Sequence, residues 1–575
     1  MADRGPLRID TSNERPVPPI AAAFLVNFDH RKGYTLGWHR SLEDVQVEGV
    51  VEFKSLPSGL HNVEEDLVYF IHDDYCGLSA FLNQPDEQSE RSARMLAIGV
   101  LVPLENGRIG RSWRHAESLK ELARYALNME DTSALEEYWG KYKPRPGDRP
   151  VQTPYDSAEQ FSSQQVNGYR KARTMSTATT FISSLHALTP HHPALTLLDS
   201  INLFGPLIFP LYRAALLRKR ILVVTDTPVE FSCNLVYNIS ILSSISQALS
   251  PLLPADSTPS LRLRPLFTVG VLDIPQLKRS KTSPDSSWIA CTTDDVLSTK
   301  PDLYDILVLM PPSESQNAAV KVFPRVIVSS PGLNKAFPKT GVKSTRRDFR
   351  RFVHLQQGLL QFPRSQVTGK GTETSDNNDA ASISTTSSSY SDNKAVVEPS
   401  SWSRVAYTSL VWWASAGDRR GGFAETEEAE TERDFALVRR EGDDEQTREV
   451  ALVAYFHRMT GIIFQTIAKA IARTDGRNAD AEPCHDDDDD EDDARPVEPS
   501  ALAQRSPVEG EESQGLLAEP EKAKVEINEE DMAAMGLDSW SVSDEQFVEE
   551  LVQRWWGRKA VVRAGVIECC GLRIL

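Results

Sequence analysis

The apolar residues of this chain come in short, nearly uninterrupted runs bounded by turn signals, a pattern that admits buried strands and little else. Ile20-Ala-Ala-Ala-Phe-Leu-Val-Asn-Phe28 is apolar at almost every position, as a strand must be when both of its faces are covered. Asp29-His-Arg-Lys-Gly33 then reads as a turn and Tyr34-Thr-Leu-Gly-Trp38 as the returning strand. Leu67-Val-Tyr-Phe-Ile71 and Tyr75-Cys-Gly-Leu-Ser-Ala-Phe81 flank His72-Asp-Asp74, which predicts a hairpin, and Met95 to Val102 is a further buried strand. From Ser112, which suits a helix cap, the period changes. Trp113, Ala116, Leu119, Ala123 and Leu127 recur at three or four residues and predict an amphipathic helix, followed by a shorter one with Leu135, Tyr138, Trp139 and Tyr142. Strands followed by helices predict an α+β unit.

A second series of apolar runs lies further on: Arg220 to Val224, Leu266 to Leu272, Trp288 to Cys291, Tyr304 to Leu309 and Arg325 to Val328. Helical segments between some of them, notably Cys233 to Leu249, predict an α/β unit with a mostly parallel sheet. Ile201 to Leu217 is apolar but holds Asn202, Pro206, Pro210 and Arg213, so it reads as a core segment. His191-His192 before Pro193 reads as a helix-entry turn. Polar tracts divide the rest. The resulting organisation is a loose tail over 1–18, an α+β lobe over 19–145, a linker over 146–175, an α/β lobe over 176–364, a disordered Ser/Thr-rich stretch over 365–400, a helical part over 401–475, a disordered acidic tract over 476–530 and a closing helix and strand over 531–575. In the helical part the stripe is Val450, Val453, Met459, Ile463, Ile467 and Ile471; in the last unit Ser543-Asp-Glu-Gln546 reads as a capping box.

The net charge of −19 is mostly local: residues 480–530 hold 19 acidic and 4 basic side chains, a net of −15, which leaves −4 for everything else. A near-neutral folded part is not built for nucleic acid. Cys76, Cys233 and Cys291 sit in apolar runs and read as reduced thiols, which favours a reducing compartment. No signal-peptide core and no apolar run of membrane-spanning length is expected, so the chain reads as cytoplasmic, with peripheral attachment to endomembranes as an added expectation. The spacings of phosphate-binding loops, zinc proteases, Cys-x-x-Cys sites and serine-hydrolase elbows do not occur, and no catalytic, cofactor-binding or metal-binding residue is assigned. Cys484-His485 before Asp486 to Asp490 reads as solvated acid rather than a metal site, and Cys569-Cys570 misses the prenylation position. One basic cluster stands out. Lys343, Arg346, Arg347, Arg350 and Arg351 share a short window, and the four arginines follow helical spacing, so one face could present them to an anionic membrane or partner; a solvated face, or an anchor for the chain's own acidic residues, is the bland alternative.

The stretch Glu48-Gly-Val-Val-Glu-Phe-Lys-Ser-Leu-Pro-Ser-Gly-Leu-His61, with Asp66 to Phe70 and Tyr75 to Leu78, resembles the N-terminal part of the LCHN-like branch of DENN proteins. Phe267-Thr-Val-Gly-Val-Leu-Asp-Ile-Pro275, Trp288-Ile-Ala-Cys-Thr-Thr-Asp294 and Leu303-Tyr-Asp-Ile306 are similar to later stretches of it, and the C-terminal third is similar to the extension of fungal members. The resemblance implies a longin-like N-terminal lobe, a central α/β DENN lobe and a helical C-terminal part. It implies a guanine nucleotide exchange factor for a Rab-family small GTPase in vesicle trafficking, docked between the two lobes; a non-catalytic trafficking adaptor or Rab-binding tether is the alternative. It carries no catalytic residue. Phe53-Lys-Ser-Leu-Pro-Ser-Gly59 reads as a strand–turn element.

Overall fold

A computed structural model describes residues 17–144, 188–363, 395–399, 405, 423–439, 447–479, 524–563, 568–569 and 572–573, apart from short gaps at 30, 57, 86–92, 105–109, 130, 255–258, 281–286, 313–314, 316–317, 319 and 330–340. The first half contains β1 (Ala22–Asp29), β2 (Gly33–Ser41), α1 (Val51–Lys54), β3 (Glu65–His72), β4 (Tyr75–Pro85), β5 (Ala93–Pro103), α2 (Ala116–Met129) and α3 (Ser133–Tyr142). Gly33 turns β1 into β2 at φ +79°, a left-handed conformation that costs glycine little. β1 is covered on both faces, with Leu25 facing one core and Phe24 and Val26 another. Ser112 does not cap a helix: it opens a 3-10 turn (Ser112–His115) ahead of α2, and its hydroxyl is buried 3.4 Å from Cys76 Sγ.

The second half follows with α4 (Leu197–Phe204), α5 (Ile208–Leu216), β6 (Ile221–Val224), α6 (Glu230–Leu242), β7 (Arg264–Thr268), α7 (Ile274–Ser280), β8 (Trp288–Thr292), α8 (Asp295–Ser298), β9 (Ile306–Leu309), β10 (Arg325–Val328) and α9 (Arg346–Leu359). His192 plays the structural part read from the sequence, its Nδ1 accepting from Ala194 N at 3.0 Å at the entry to this helical run. All ten strands form one sheet in the order β10-β9-β6-β8-β7-β3-β4-β5-β1-β2. β7/β8, β8/β6 and β6/β9 are parallel, but β10 and every pair from β7 to β2 are antiparallel. The expectation of a mostly parallel sheet is therefore corrected: the hairpin-linked strands of the first half extend the same sheet and make it mostly antiparallel. One large core covers one face across both halves. On the other face lie two smaller cores, one under α1 with Phe24, Val51, Leu56 and Phe70, the other under α7 and α8 with Leu277, Trp288, Leu297 and Tyr304.

The C-terminal part, α10 (Phe423–Val438), α11 (Arg448–Ala479), β11 (Val525–Asn528), α12 (Glu529–Met535), α13 (Val542–Trp556) and β12 (Ala560–Arg563), folds back onto the large core. Tyr212 of α5 meets Thr460 of α11, oxygen to oxygen, at 2.6 Å, and the Trp555 indole donates to the Leu216 carbonyl at 3.0 Å. β11 forms inside the tract expected to be disordered to residue 530: Val525 and Ile527 are fully buried, and β11 pairs in parallel with β12. The capping box at Ser543 does not form. Ser541 is the N-cap, and Asp544 turns inward toward Arg213 instead. Two stretches, Pro193–Leu216 and Arg448–Gly476, are long and apolar enough to cross a membrane by length and composition, where the sequence reading found none. Most of each, 72% and 56% of the apolar window, is buried within the chain, so both serve its core. The Ser/Thr-rich stretch up to residue 394, the Cys484–Asp490 run and the linker at 145–175 lie outside the described residues.

Candidate functional site at the junction of the two halves

The two halves of the sheet meet at a single register pair, Phe70 of β3 with Phe267 of β7. Phe267 is fully buried with φ +57°, a conformation unfavourable for a side chain this large, next to a shift of register in β7. The Tyr69 ring packs 5.5 Å from it. Asp66 makes a further internal link. It sits on β3, is 2% exposed, and accepts from Val229 N at 2.7 Å and Glu230 N at 3.1 Å, so a side chain of the first half caps helix α6 of the second. Burial pushes the Asp66 carboxyl up to about 7, against the pull of those backbone N–H groups.

On the face opposite the large core, the segment 53–59 lies across the C-terminal ends of the parallel strands. It is not the strand–turn element expected. Residues 51–54 wind into one helical turn because Val51 packs into the small core and Glu52 Oε1 accepts from Gly49 N at 3.1 Å. Lys54 Nζ then reaches Asp273 Oδ1 at 2.8 Å and the Ile71 carbonyl at 2.8 Å. The Ser58 hydroxyl donates to Asp294 Oδ1, whose other oxygen accepts from Val271 N at 3.2 Å. Thr227 Oγ1 donates to the Gly59 carbonyl at 3.1 Å, and Gly59 itself sits at φ +89°. The crevice beyond the strand ends, the usual ligand position in open α/β sheets, is thus occupied by the chain itself. Four large apolar side chains stand exposed beside these contacts: Phe53 at 52%, Val271 at 48%, Leu272 at 65% and Val296 at 51%. Each lies within two residues of a polar link between the halves, so together they form an apolar rim along the junction.

The basic cluster is divided by the fold. α9 forms as its spacing predicts, with Thr345 and Asp348 as a true capping box. Arg347 and Arg351, however, are 3% exposed and point inward. Arg347 binds Asp434 of α10 through both terminal nitrogens at 2.7 Å, with Arg351 Nε at 3.5 Å and His354 Nδ1 at 2.8 Å from the same carboxylate. Arg350 pairs with Glu427 and Glu430. Lys343 is half-buried, and Arg346 alone of the five is exposed. Burial would raise Asp434, but the His354 and Arg347 hydrogen bonds and the charge of Arg351 hold it far below the carboxylate range. Among the described residues no group of three or more His, Cys, Asp or Glu side chains is arranged to hold a metal ion.

The junction residues Asp66, Val271, Leu272 and Val296 were not singled out by sequence reasoning. Asp66, Val271 and Leu272 nevertheless lie in the stretches 66–70 and 267–275, which with 48–61 and 288–294 carry the DENN resemblance and converge here; Val296 lies two residues beyond the last of them.

A hairpin-built antiparallel half joined to an α/β half, with family-marking segments at the seam, defines a DENN-type module, and the chain belongs to the DENN family. Residues 23–320 match the family described as DENN domain-containing protein 11, and residues 397–575 match a domain of unknown function, DUF4484. Among curated proteins, the chain is similar to DENN domain-containing protein 11 of Xenopus laevis, 33% identical over 50% of this chain and 59% of that protein, and of Danio rerio, 32% identical over 50% and 53%. The matched region thus spans less than two thirds of these relatives. The uncharacterized protein ANR2 of Saccharomyces cerevisiae is 24% identical over 96% of this chain and 94% of its own length, C-terminal part included.

Proposed function

We propose that the chain is a guanine nucleotide exchange factor for a Rab-family small GTPase, with the junction rim as its docking surface. The observation that carries this reading is the convergence of the segment 48–61 with the segments 267–275 and 288–294, which follow it by more than two hundred residues, on a seam that leaves Phe53, Val271, Leu272 and Val296 exposed. The mechanism is thermodynamic linkage. A surface that binds the nucleotide-free GTPase more tightly than the loaded one must weaken nucleotide binding by the same factor, and it requires no acid, base or metal of its own. A stable complex of this kind buries about 1,600 Å² in total, far more than four side chains supply, so the flanking surface of both halves takes part. The site of action is cytoplasmic, at endomembranes that carry the GTPase. A direct contact with anionic lipid narrows to Arg346 with Lys343 beside it; unchanged liposome flotation of K343E/R346E removes it.

The test is release of fluorescent GDP from a panel of purified Rabs. Acceleration by catalytic amounts of the chain is expected, reduced at least tenfold in F53D/L272D with an unchanged unfolding midpoint, since exposed substitutions move stability by about 0.5 kcal/mol or less. Binding selective for the GTP form without acceleration makes the chain an adaptor. Full activity in F53D/L272D refutes the docking surface.

A further inference from the structure

The C-terminal part is fastened to the large core through a buried cluster whose charges do not balance. Arg213 of α5 binds Asp348 of α9 through both terminal nitrogens, at 2.9 and 2.7 Å. A second carboxylate, Asp544 of α13, lies 3.4 Å from the same guanidinium. The three side chains are 9%, 2% and 1% exposed. Asp348 is well satisfied, for its Oδ2 also accepts from Thr345 N at 3.1 Å. Asp544 is not. Its Oδ2 accepts from Asp538 N at 2.8 Å, but its Oδ1 has no hydrogen-bond partner.

Among the described residues, the charges that act on this carboxyl are Arg213 of α5, which favours its ionised form, and Asp348 of α9 and Asp538 of the loop ahead of α13, which oppose it. Glu398 of the segment 395–399, held by Ser541, acts on the same Arg213, Asp348 and Asp538. α13 contributes no cation here; its Phe547 ring lies 5.9 Å from the Arg213 guanidinium. One guanidinium therefore serves two fully buried carboxylates with two more acids nearby. A buried carboxylate that makes no hydrogen bond through Oδ1, and there meets only a guanidinium already bound to a second carboxylate, is disfavoured when ionised, and a proton on that oxygen removes the penalty.

We infer that this cluster is a proton-binding latch: Asp544 is protonated in the folded chain, and loss of that proton loosens α13, and with it the C-terminal part, from α5 and α9. Burial first, opposed by Arg213 and reinforced by Asp348, pushes the Asp544 carboxyl up to about 7. Its folded-state value is thus above its unfolded one. The stability it contributes is fully present below the ordinary carboxylate range and is lost as pH rises through about 7. The Trp555 indole, bonded to the Leu216 carbonyl, and the fully buried Leu551 and Val552 lie on the same helix, so loosening it opens the large core.

Backbone hydrogen–deuterium exchange on the full chain, followed over residues 542–556 from pH 5 to pH 8 and corrected for intrinsic base catalysis, tests this. Protection of α13 should fall at least tenfold between pH 5 and pH 7.5 and level off above. D544N, which keeps an uncharged acceptor for Asp538 N, should show no such fall. E398Q, which removes a neighbouring negative charge, should move the midpoint to lower pH. A flat wild-type profile, equal slopes in wild type and D544N, or a profile set by potassium concentration instead of pH would each overturn the latch. The last result would make the neutralising ion a metal cation.

Discussion

Replacing Asp66 with alanine should unfasten the two halves, and the size of the effect can be worked out from its contacts. The carboxylate accepts from Val229 N, Glu230 N and Leu67 N at 2.7, 3.1 and 2.8 Å. Val229 is fully buried, so its orphaned N–H incurs a desolvation cost of roughly 1–3 kcal/mol. Glu230 is half-buried and can turn to water, while the lost cap on a 13-residue helix costs about 1 kcal/mol. The sum expected for Asp66→Ala is about 2–4 kcal/mol. It should appear in urea unfolding as a lower midpoint, together with faster amide exchange at Phe267, where the sheet halves touch. There is also a pH signature. Because burial raises the Asp66 carboxyl to about 7, its contribution is largest in acid and declines as pH rises through that value, so the gap between wild type and variant should narrow toward pH 8. A loss below about 1 kcal/mol, or a gap that widens with pH, refutes the idea that Asp66 fastens the halves internally.

Trp555→Ala should cost about 3–5 kcal/mol in thermal or urea unfolding, since a fully buried ring and its bond to Leu216 are lost together. Arg347→Ala should cost a similar amount, about 3–5 kcal/mol, by breaking a buried pair, whereas Arg346→Ala should leave the unfolding midpoint unchanged. Asp434, depressed in the folded chain, contributes stability that is present above the ordinary carboxylate range and lost as pH falls below it, so the gap in urea midpoint between wild type and an Asp434→Asn variant that folds should be full near pH 7 and close in acid, with acid unfolding of the variant, followed by near-ultraviolet circular dichroism, beginning at the higher pH. Cys76, Cys233 and Cys291 should resist alkylation in the native chain and react only after denaturation, as peptide mass spectrometry can show; burial pushes the Cys76 thiol up to about 12.

Individual strands were legible because each buried run bears its own signature, and Ile20–Phe28 or Trp288–Cys291 need no distant partner to be read as strand. Their assembly into one sheet was not legible. It depends on one bridge between Phe70 and Phe267, made possible by a left-handed phenylalanine that leaves no mark in sequence. The basic helix shows the same divide. Spacing gave its helicity, but the partner that draws Arg347 inward, Asp434, lies 87 residues away and in isolation looks like one acid among many. Ser543 misled for a related reason: Ser543 and Gln546 satisfy a local capping pattern on paper, while in the fold the helix begins at Ser541 and the Asp544 between them answers to Arg213. The site residues were within reach only as membership in quoted stretches, since exposure of Phe53 and Leu272 is decided by what the folded neighbours fail to cover.

Trp555 follows its acceptor, the carbonyl of Leu216, by 339 positions along the chain. During synthesis the apolar surface of α4, α5 and α6 therefore emerges long before the helix that seals it, and it must wait, exposed, through two polar intervals. Such delayed closure favours helpers that shield nascent chains, and it makes any product ending before α13 a candidate for aggregation rather than a working fragment.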